Sequence, residues 1–277
     1  TLSQPYGSRD WWPSKDTPAD KADSSDVWIT APSSFVSVSN GNLIETINNG
    51  NGTLTYKWKN NYPIANYLIS IAMSNYYLYQ TQFEYEPGKT FPITHYVYPE
   101  SYASQKANLD KTNDMIKIYS EMFGPYPYPK EKYGHAQCGF GGGMEHQTIS
   151  SVGAFSESLV AHELAHQWFG DKVTCKDWQN IWLNEGFATY SDKLYHQKKY
   201  GDATFLSQIN SVMNSAKTAS GTIYVQNINS VNEIFSSARS YNKGAAVLHM
   251  LRGIIGDDNF FRTLKEYLAE PGLSYNV

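Results

Sequence analysis

The chain has 277 residues, of which 41% are hydrophobic and 17% charged, a composition that is typical of a folded protein and excludes a disordered chain. No uninterrupted apolar run approaches the roughly 20 residues that a membrane-spanning helix needs, so no membrane span is expected. The 22 basic and 26 acidic residues give a net charge of -4, and the lack of a basic excess argues against nucleic-acid binding.

Residues 1–98 carry a β-type pattern. Short β-prone runs at 27–30, 53–58, 67–72 and 95–98 alternate with Asn-Gly, Pro and Ser turn residues. We therefore predict antiparallel sheet up to residue 98 and no helix of ordinary length before Ser101.

Residues 99–277 carry a helical pattern instead. Apolar side chains recur at helical spacing from Leu109 to Phe123, and the Gly-Pro pair that follows predicts the end of this helix. Further helices are predicted at 158–169, 185–200, 241–255 and 259–268. The second part of the chain is therefore expected to be mainly helical α+β structure.

The cysteine count and the general composition bear on the compartment. Cys138 and Cys175 are too few for a disulfide framework or for a metal site built from cysteine alone. The low charged fraction and the 22 tyrosines favour an extracellular or periplasmic protein, and a cytoplasmic one fits the same composition. The chain starts TLSQPYGSRDWW, without an initiator Met and without the features of a signal peptide. A processed or trimmed product would start in the same way.

The segment HELAH at 162–166 carries the most specific chemistry. Two histidines four residues apart on a helix lie one turn above the other, so His162 and His166 can reach one ion. Glu163 lies beside them and can hold a water on that ion. This arrangement is the H-E-x-x-H zinc signature.

A catalytic zinc site needs a third protein ligand. Eighteen residues, 167–184, separate His166 from Glu185, which lies at the start of the next predicted helix, and His₂Glu is a known ligand set. Asp192 follows two helical turns later on the same face, where it is expected to orient a ligand imidazole. A solvated helix aspartate is the alternative for Asp192.

These residues belong to longer segments, and with them the chain resembles the zinc aminopeptidases of the aminopeptidase N family, relatives of the leukotriene-type epoxide hydrolases. The segments that carry the resemblance are GGMEH (142–146), HELAHQWFGD (162–171), WLNEGFATY (182–190) and SYNKGAAVLHMLR (240–252). The resemblance implies a partial all-β antiparallel sandwich over 1–98, followed by a mainly helical α+β thermolysin-like catalytic domain over 99–277.

The resemblance also implies roles. His162, His166 and Glu185 match the ligands of one Zn²⁺ per chain, and Glu163 matches the general base that deprotonates the attacking water. Tyr241 matches the tyrosine whose hydroxyl stabilises the oxyanion of the tetrahedral intermediate. The remaining histidines outside GGMEH match no ligand and are expected to be structural or solvated; they are His95, His135, His196 and His249.

The amine-binding residues of the family have counterparts here too. Glu145 matches the carboxylate that holds the free α-amine of the substrate. A carboxylate suits this role because an ammonium group that leaves water must be paired with a negative charge. Gly142 and Gly143 let the substrate backbone approach closely. Gln4 falls where the family places a second residue of the amine site. His146 replaces the usual Asn, which puts the fine positioning of Glu145 in question.

By comparison with the family, we expect residues 1–277 to include neither the first strands of the sandwich nor the C-terminal helical domain. An incomplete sandwich leaves an open strand edge, which natural sheets normally protect. We therefore expect either further sequence or a partner that covers this edge.

The function predicted is a zinc-dependent aminopeptidase that acts on peptides with a free amino terminus. Three alternatives stay open: a related epoxide hydrolase, a non-catalytic peptide-binding fragment, and a thermolysin-like endopeptidase. Glu145 disfavours the endopeptidase, because an amine anchor prevents binding across the middle of a chain.

Overall fold

In the computed structural model, which describes residues 1–274, residues 25–74 form two small antiparallel sheets. The strands are β1 (Ser25–Pro32), β2 (Val36–Val38), β3 (Asn42–Asn48), β4 (Thr53–Asn60) and β5 (Ala72–Ser74). Their orders are β1-β4-β3 and β2-β5. Inward side chains such as Ile29, Val38 and Trp58 are buried together between the sheets, which makes a partial sandwich. The strand predicted at 67–72 is wrong, since Asn66–Leu68 is a turn of 3-10 helix.

A five-stranded sheet follows, and it crosses residue 98. Its strands are β6 (Tyr77–Glu86), β7 (Lys89–Val97), β8 (Tyr133–Gln137), β9 (Gly143–Met144) and β10 (Ser150–Val152), in the order β6-β7-β8-β10-β9. The β7–β8 and β8–β10 pairs are parallel, and the outer pairs are antiparallel.

The domain boundary predicted at residue 98 therefore needs correction. The hairpin β6–β7, assigned to the first domain, is hydrogen-bonded to β8 of the second. The change of architecture lies between β5 and β6 instead. Strand propensity identifies a strand but not its partner, which is why the alternating pattern up to residue 98 suggested a single β-domain.

The helices fill the second half of the chain. They are α1 (Pro99–Leu109), α2 (Thr112–Phe123), α3 (Glu157–Ala165), α4 (Trp182–Tyr200), α5 (Asp202–Ala216), α6 (Val231–Ile234), α7 (Gly244–Ile255) and α8 (Asp257–Ala269). A π-helical segment, Ser237–Lys243, runs directly into α7. The sequence did not predict α1, α5 or α6, and the helix predicted at 241–255 begins inside the π-helical segment. Helix α3 ends four residues earlier than expected. The expected order of a mostly β part followed by a mainly helical part is confirmed.

Helix α4 lies at the centre of the helical part, and twelve of its residues are buried. A large aromatic and aliphatic core joins it to α2, α3 and the five-stranded sheet. Ser156 caps α3, its hydroxyl accepting from the Leu159 amide at 3.4 Å. Over residues 1–274, no helix is both long and apolar enough to cross a bilayer.

Candidate functional site

Three side chains from α3 and α4 meet at one point. The Nε2 atoms of His162 and His166 lie 3.1 Å apart, and each lies 3.4 Å from Oε2 of Glu185. In a tetrahedral zinc site with bonds of about 2.0–2.1 Å, neighbouring ligand atoms lie about 3.3–3.4 Å apart. The three predicted ligands therefore have the spacing of three corners of a zinc tetrahedron.

The hydrogen bonds around this cluster also fit a metal. Nδ1 of His166 donates to the Phe169 carbonyl oxygen at 3.0 Å, which leaves the Nε2 lone pair for an ion. Gly170, with φ +135°, permits this turn, and a Cβ there would lie 2.9 Å from Nδ1 of His166. Oε2 of Glu185 is buried and accepts no hydrogen bond from the described residues. An ion at this point would satisfy the unpartnered oxygen.

The cluster opens into a cavity of about 340 Å³. The lining residues are Gln4, Gly142, Gly143, Glu145, Leu159, His162, Glu163, His166, Glu185 and Tyr241. Nine of these ten were predicted from sequence, and Leu159 was not. The cavity therefore brings together residues from the amino terminus, β9, α3, α4 and the π-helical segment.

Three carboxyl groups, those of Glu145, Glu163 and Glu185, are buried at the cavity. Burial raises the pKa of Glu145 to about 7 and that of Glu163 well above its ordinary value, and each is raised further by the charge of Glu185. A cation that binds beside these groups, whether a metal ion or an ammonium group, favours their ionised form, so the cavity is suited to cations.

Glu163 lies against the glycine strand β9. A Cβ on Gly143 would lie only 2.4 Å from Oε1 of Glu163, so any larger residue at this position would displace the Glu163 carboxyl group. Oε2 of Glu163 is buried without a hydrogen-bond partner among the described residues. The carboxyl group is thus available to exchange a proton with a bound molecule.

Glu145 and Gln4 meet although 141 residues separate them. The Gln4 side-chain amide donates to Oε1 of Glu145 at 3.2 Å. His146 turns away from the cavity, with its Nδ1 2.9 Å from the Ser151 hydroxyl on β10. The substitution in the GGMEH segment therefore leaves Glu145 on the cavity wall, beside Gln4.

Tyr241 approaches from the π-helical segment. Its ring is nearly parallel to the His162 ring, with centroids 6.0 Å apart and planes inclined by 17°. Burial and the nearby Glu185, Glu145 and Glu163 charges raise the pKa of Tyr241 well above its ordinary value. The phenol thus keeps its proton and faces the cavity as a hydrogen-bond donor.

The role expected of Asp192, to orient a ligand imidazole, stays a prediction. Its Oδ1 lies 3.0 Å from Nδ1 of His196, its Oδ2 accepts from Lys193, and none of its described contacts involves a ligand histidine. Helical spacing places Asp192 on the same face as Glu185, but the side chain turns toward its own helix. The prediction that His95 and His135 are structural fits their buried Nδ1–Nδ1 contact of 2.8 Å.

The sequence did not predict the residues that hold the backbone next to Glu185 in place. Asn184, which precedes Glu185, binds Tyr67, and Gly186, which follows it, touches Gly244. Asn184, Gly186 and Gly244 lie inside the motif segments, and this position was the only feature of the sequence that could have indicated a supporting role for them. Tyr67 lies outside every motif.

Comparisons with known proteins agree with this geometry. A model of the peptidase M1 N-terminal domain matches residues 1–68, and a model of the peptidase family M1 domain matches residues 107–275. Endoplasmic reticulum aminopeptidase 1 of Mus musculus is 27% identical over 98% of this chain and 31% of its own length. Leucyl aminopeptidase of Saccharolobus solfataricus is 26% identical over 79% of this chain and 30% of its own length. The chain thus spans less than a third of these curated relatives.

Solved structures show the same fold. The M1 zinc metallopeptidase from Deinococcus radiodurans superimposes with a TM-score of 0.83 at 27% identity, over 100% of this chain and 63% of its own. A mutant of that enzyme bound to a Tyr-Ser-Ala substrate gives a TM-score of 0.80 at 27% identity, over 97% of this chain and 61% of its own.

Proposed function

The chain belongs to peptidase family M1, and from this premise we propose that it forms the catalytic core of a zinc-dependent aminopeptidase. Its substrate is a peptide with a free amino terminus, from which it removes the first residue. The observation that carries the proposal is a tetrahedral set of ligand atoms in the same cavity as a buried glutamate paired with Gln4.

His162, His166 and Glu185 are the residues that would hold the zinc ion, because their ligand atoms have the required spacing and chemistry. When bound, zinc acts as a Lewis acid on the substrate carbonyl and lowers the pKa of water to about 7.

Glu163 moves the proton. Its buried carboxylate accepts a proton from the attacking water and then returns it to the amine that leaves. Burial raises the pKa of the Glu163 carboxyl group, which favours its holding the proton between the two transfers.

Tyr241 and Glu145 act on the substrate from different parts of the cavity. The protonated phenol of Tyr241 donates a hydrogen bond to the oxyanion, an interaction that is strongest in the transition state. Glu145 pairs with the α-ammonium, which is desolvated as it enters the cavity, while Gln4 holds the carboxylate in place. Pairing the amine at a fixed place selects the first peptide bond.

This arrangement bears on the alternatives. A paired, buried Glu145 has no use in an endopeptidase, whose substrate has no amine at this point. The ligands, Glu163 and Tyr241 are all in place, which speaks against a non-catalytic fragment. Epoxide hydrolysis would use the same ligands, and nothing among residues 1–274 favours it over peptide hydrolysis.

The test is hydrolysis of aminoacyl chromogenic amides and of their amino-acetylated twins, before and after zinc removal by a chelator. We expect cleavage of the free-amine set alone, lost with the chelator and restored by zinc. Cleavage of both sets would contradict the amine-anchor role of Glu145. Activity that survives complete zinc removal would contradict the metal mechanism, and zinc bound without cleavage would contradict catalysis by this chain.

A further inference from the structure

Two glycines bring α4 and the start of α7 into direct backbone contact. A Cβ on Gly186 would lie 2.8 Å from the Gly244 Cα and 3.2 Å from the Ala245 amide nitrogen. A Cβ on Gly244 would lie 2.9 Å from the Gly186 Cα. Since carbon atoms in ordinary contact lie about 3.5–4.0 Å apart, no side chain fits at either position without moving the helices apart.

Each glycine adjoins a residue of the cavity. Gly186 directly follows Glu185 on α4, and Gly244 lies three residues after Tyr241, where the π-helical segment becomes α7. Both segments are helical and well buried at this point. The distance at which they cross therefore sets how far Tyr241 lies from Glu185 and from the His162 ring.

The opposite side of the π-helical segment is held by hydrogen bonds. The Ser240 hydroxyl donates to the Ile234 carbonyl at 2.6 Å, and the Asn242 amide donates to the Ser215 hydroxyl on α5 at 3.0 Å. Lys243 donates to carbonyl groups of Ala219 and Gly221. The π-helical segment is thus held by its hydrogen bond to α5 on one side and by the glycine contact with α4 on the other.

We propose that the Gly186–Gly244 contact positions the Tyr241 hydroxyl over the cavity, which makes both glycines positioning residues of the reaction. This inference rests on the proposed function. An added methyl group would displace the segment by about 0.7 Å, the difference between 2.8 Å and an ordinary carbon contact. A misplacement of about 1 Å is enough to reduce a rate about a hundredfold.

The first test compares Gly244→Ala with Gly253→Ala. Both glycines lie on α7, but a Cβ on Gly253 would meet no atom within 4 Å. We expect Gly244→Ala to lower kcat about ten- to a hundredfold, with KM changed less than about threefold and zinc still bound. Gly253→Ala should match the wild type in kcat. An unchanged kcat in Gly244→Ala would overturn the proposal.

The second test asks whether the loss acts through Tyr241. In a Tyr241→Phe background, Gly244→Ala should lower kcat by less than about threefold, because the donor that it displaces is already gone. A general structural defect would instead multiply with the loss from Tyr241→Phe, and that result would overturn the proposal.

The third readout needs no activity. A crystal structure of Gly244→Ala should show the Tyr241 hydroxyl moved relative to Glu185, while Gly253→Ala leaves it in place. An unmoved hydroxyl would overturn the positioning role whatever the kinetics show. A wild-type chain that hydrolyses no free-amine substrate would overturn the proposed function instead, so the two failures are distinguishable.

Discussion

The side-chain amide of Asn184 donates a 3.1 Å hydrogen bond to the Tyr67 hydroxyl, across 117 residues of sequence. Asn184 precedes Glu185 on α4, and its side-chain oxygen accepts from the Cys175 amide at 3.0 Å. The Tyr67 hydroxyl also lies 3.5 Å from the carbonyl of Gly170, in the turn that follows His166. Tyr67, which lies in the mostly β part of the chain, thus contacts the chain segments that carry two proposed metal ligands, His166 and Glu185.

Replacing Tyr67 with Phe should therefore weaken zinc binding. The change leaves the Asn184 amide without its partner and loosens the start of α4, and the loss of such an outer contact typically costs about ten- to a hundredfold in metal affinity. Competition with a chromogenic chelator measures this. Tyr128→Phe is the matched control, because the Tyr128 hydroxyl is buried with no hydrogen-bond partner among the described residues. Equal zinc affinity in Tyr67→Phe and the wild type would refute the supporting role.

Glu163→Gln should retain zinc and lose most turnover. The amide has the size of the carboxyl group but cannot accept the proton of the attacking water, and a general base contributes about a hundred- to ten-thousandfold. Steady-state kinetics and metal analysis on the same preparation separate the two effects. Full activity in this variant would remove Glu163 from the proton-transfer role.

Tyr241→Phe should lower kcat about ten- to a thousandfold, the range that one oxyanion donor supplies, and change KM little. The ring keeps its stacking on His162, so the fold and the metal site should be undisturbed. Thermal unfolding and zinc content serve as controls. If kcat is the same as in the wild type, the oxyanion is stabilised by another group.

Glu145→Ala should abolish the preference for free-amine substrates over acetylated ones. Removing the carboxylate leaves the α-ammonium unpaired in the cavity, which lowers kcat/KM for the free-amine set selectively. Gln4→Ala should act in the same direction but more weakly, because its neutral amide contacts Glu145. Equal losses on both substrate sets would contradict the amine-anchor role.

The buried pair His95 and His135 should make the fold sensitive to acid. Burial lowers the pKa of His95 from 6.5 to about 3 and that of His135 well below its ordinary value. Because the unfolded chain then binds more protons, stability is lost as the pH falls below about 6.5, by about 2 kcal/mol for His95 at pH 5. Denaturant unfolding at pH 7.5, 6 and 5 measures this loss.

His95→Gln should reduce that pH dependence, whatever it does to stability at neutral pH. His196→Gln is a control with the opposite sign. Burial lowers the pKa of His196, but its contacts with Asp192 raise it on balance, so this pair stabilises the fold below the unfolded pKa. Removing the His196–Asp192 pair should therefore make the loss of folding stability at low pH steeper. An unchanged pH dependence in His95→Gln would show that another group controls acid unfolding.

Much of the metal site was predictable because its geometry is local. Histidines at i and i+4 of one helix face the same side whatever surrounds them, so HELAH predicts two converging ligands. Glu185 was identified by a carboxylate at the start of the next helix and by the motif around it. For the same reason of local periodicity, the helices over 185–200 and 259–268 were placed to within three residues.

Other predictions had different outcomes. The orienting role of Asp192 stays a prediction, since its described contacts are with Lys193 and His196 on its own helix. The run 67–72 has β propensity, yet its start is a buried 3-10 turn. The expected location outside the cytoplasm and the cover for the open sheet edge stay predictions.

The sequence by itself determined the order of β and helical parts, and it predicted the proposed ligand histidines, the proposed ligand glutamate and the proposed general base. Each follows from backbone periodicity or from a short contiguous motif. The tertiary structure alone decided that Gln4 meets Glu145, that His146 faces Ser151, that one sheet crosses residue 98, and that Gly186 touches Gly244. These are contacts between distant segments or side-chain directions set by neighbours, so they depend on how all the elements pack together, which no single window of sequence contains.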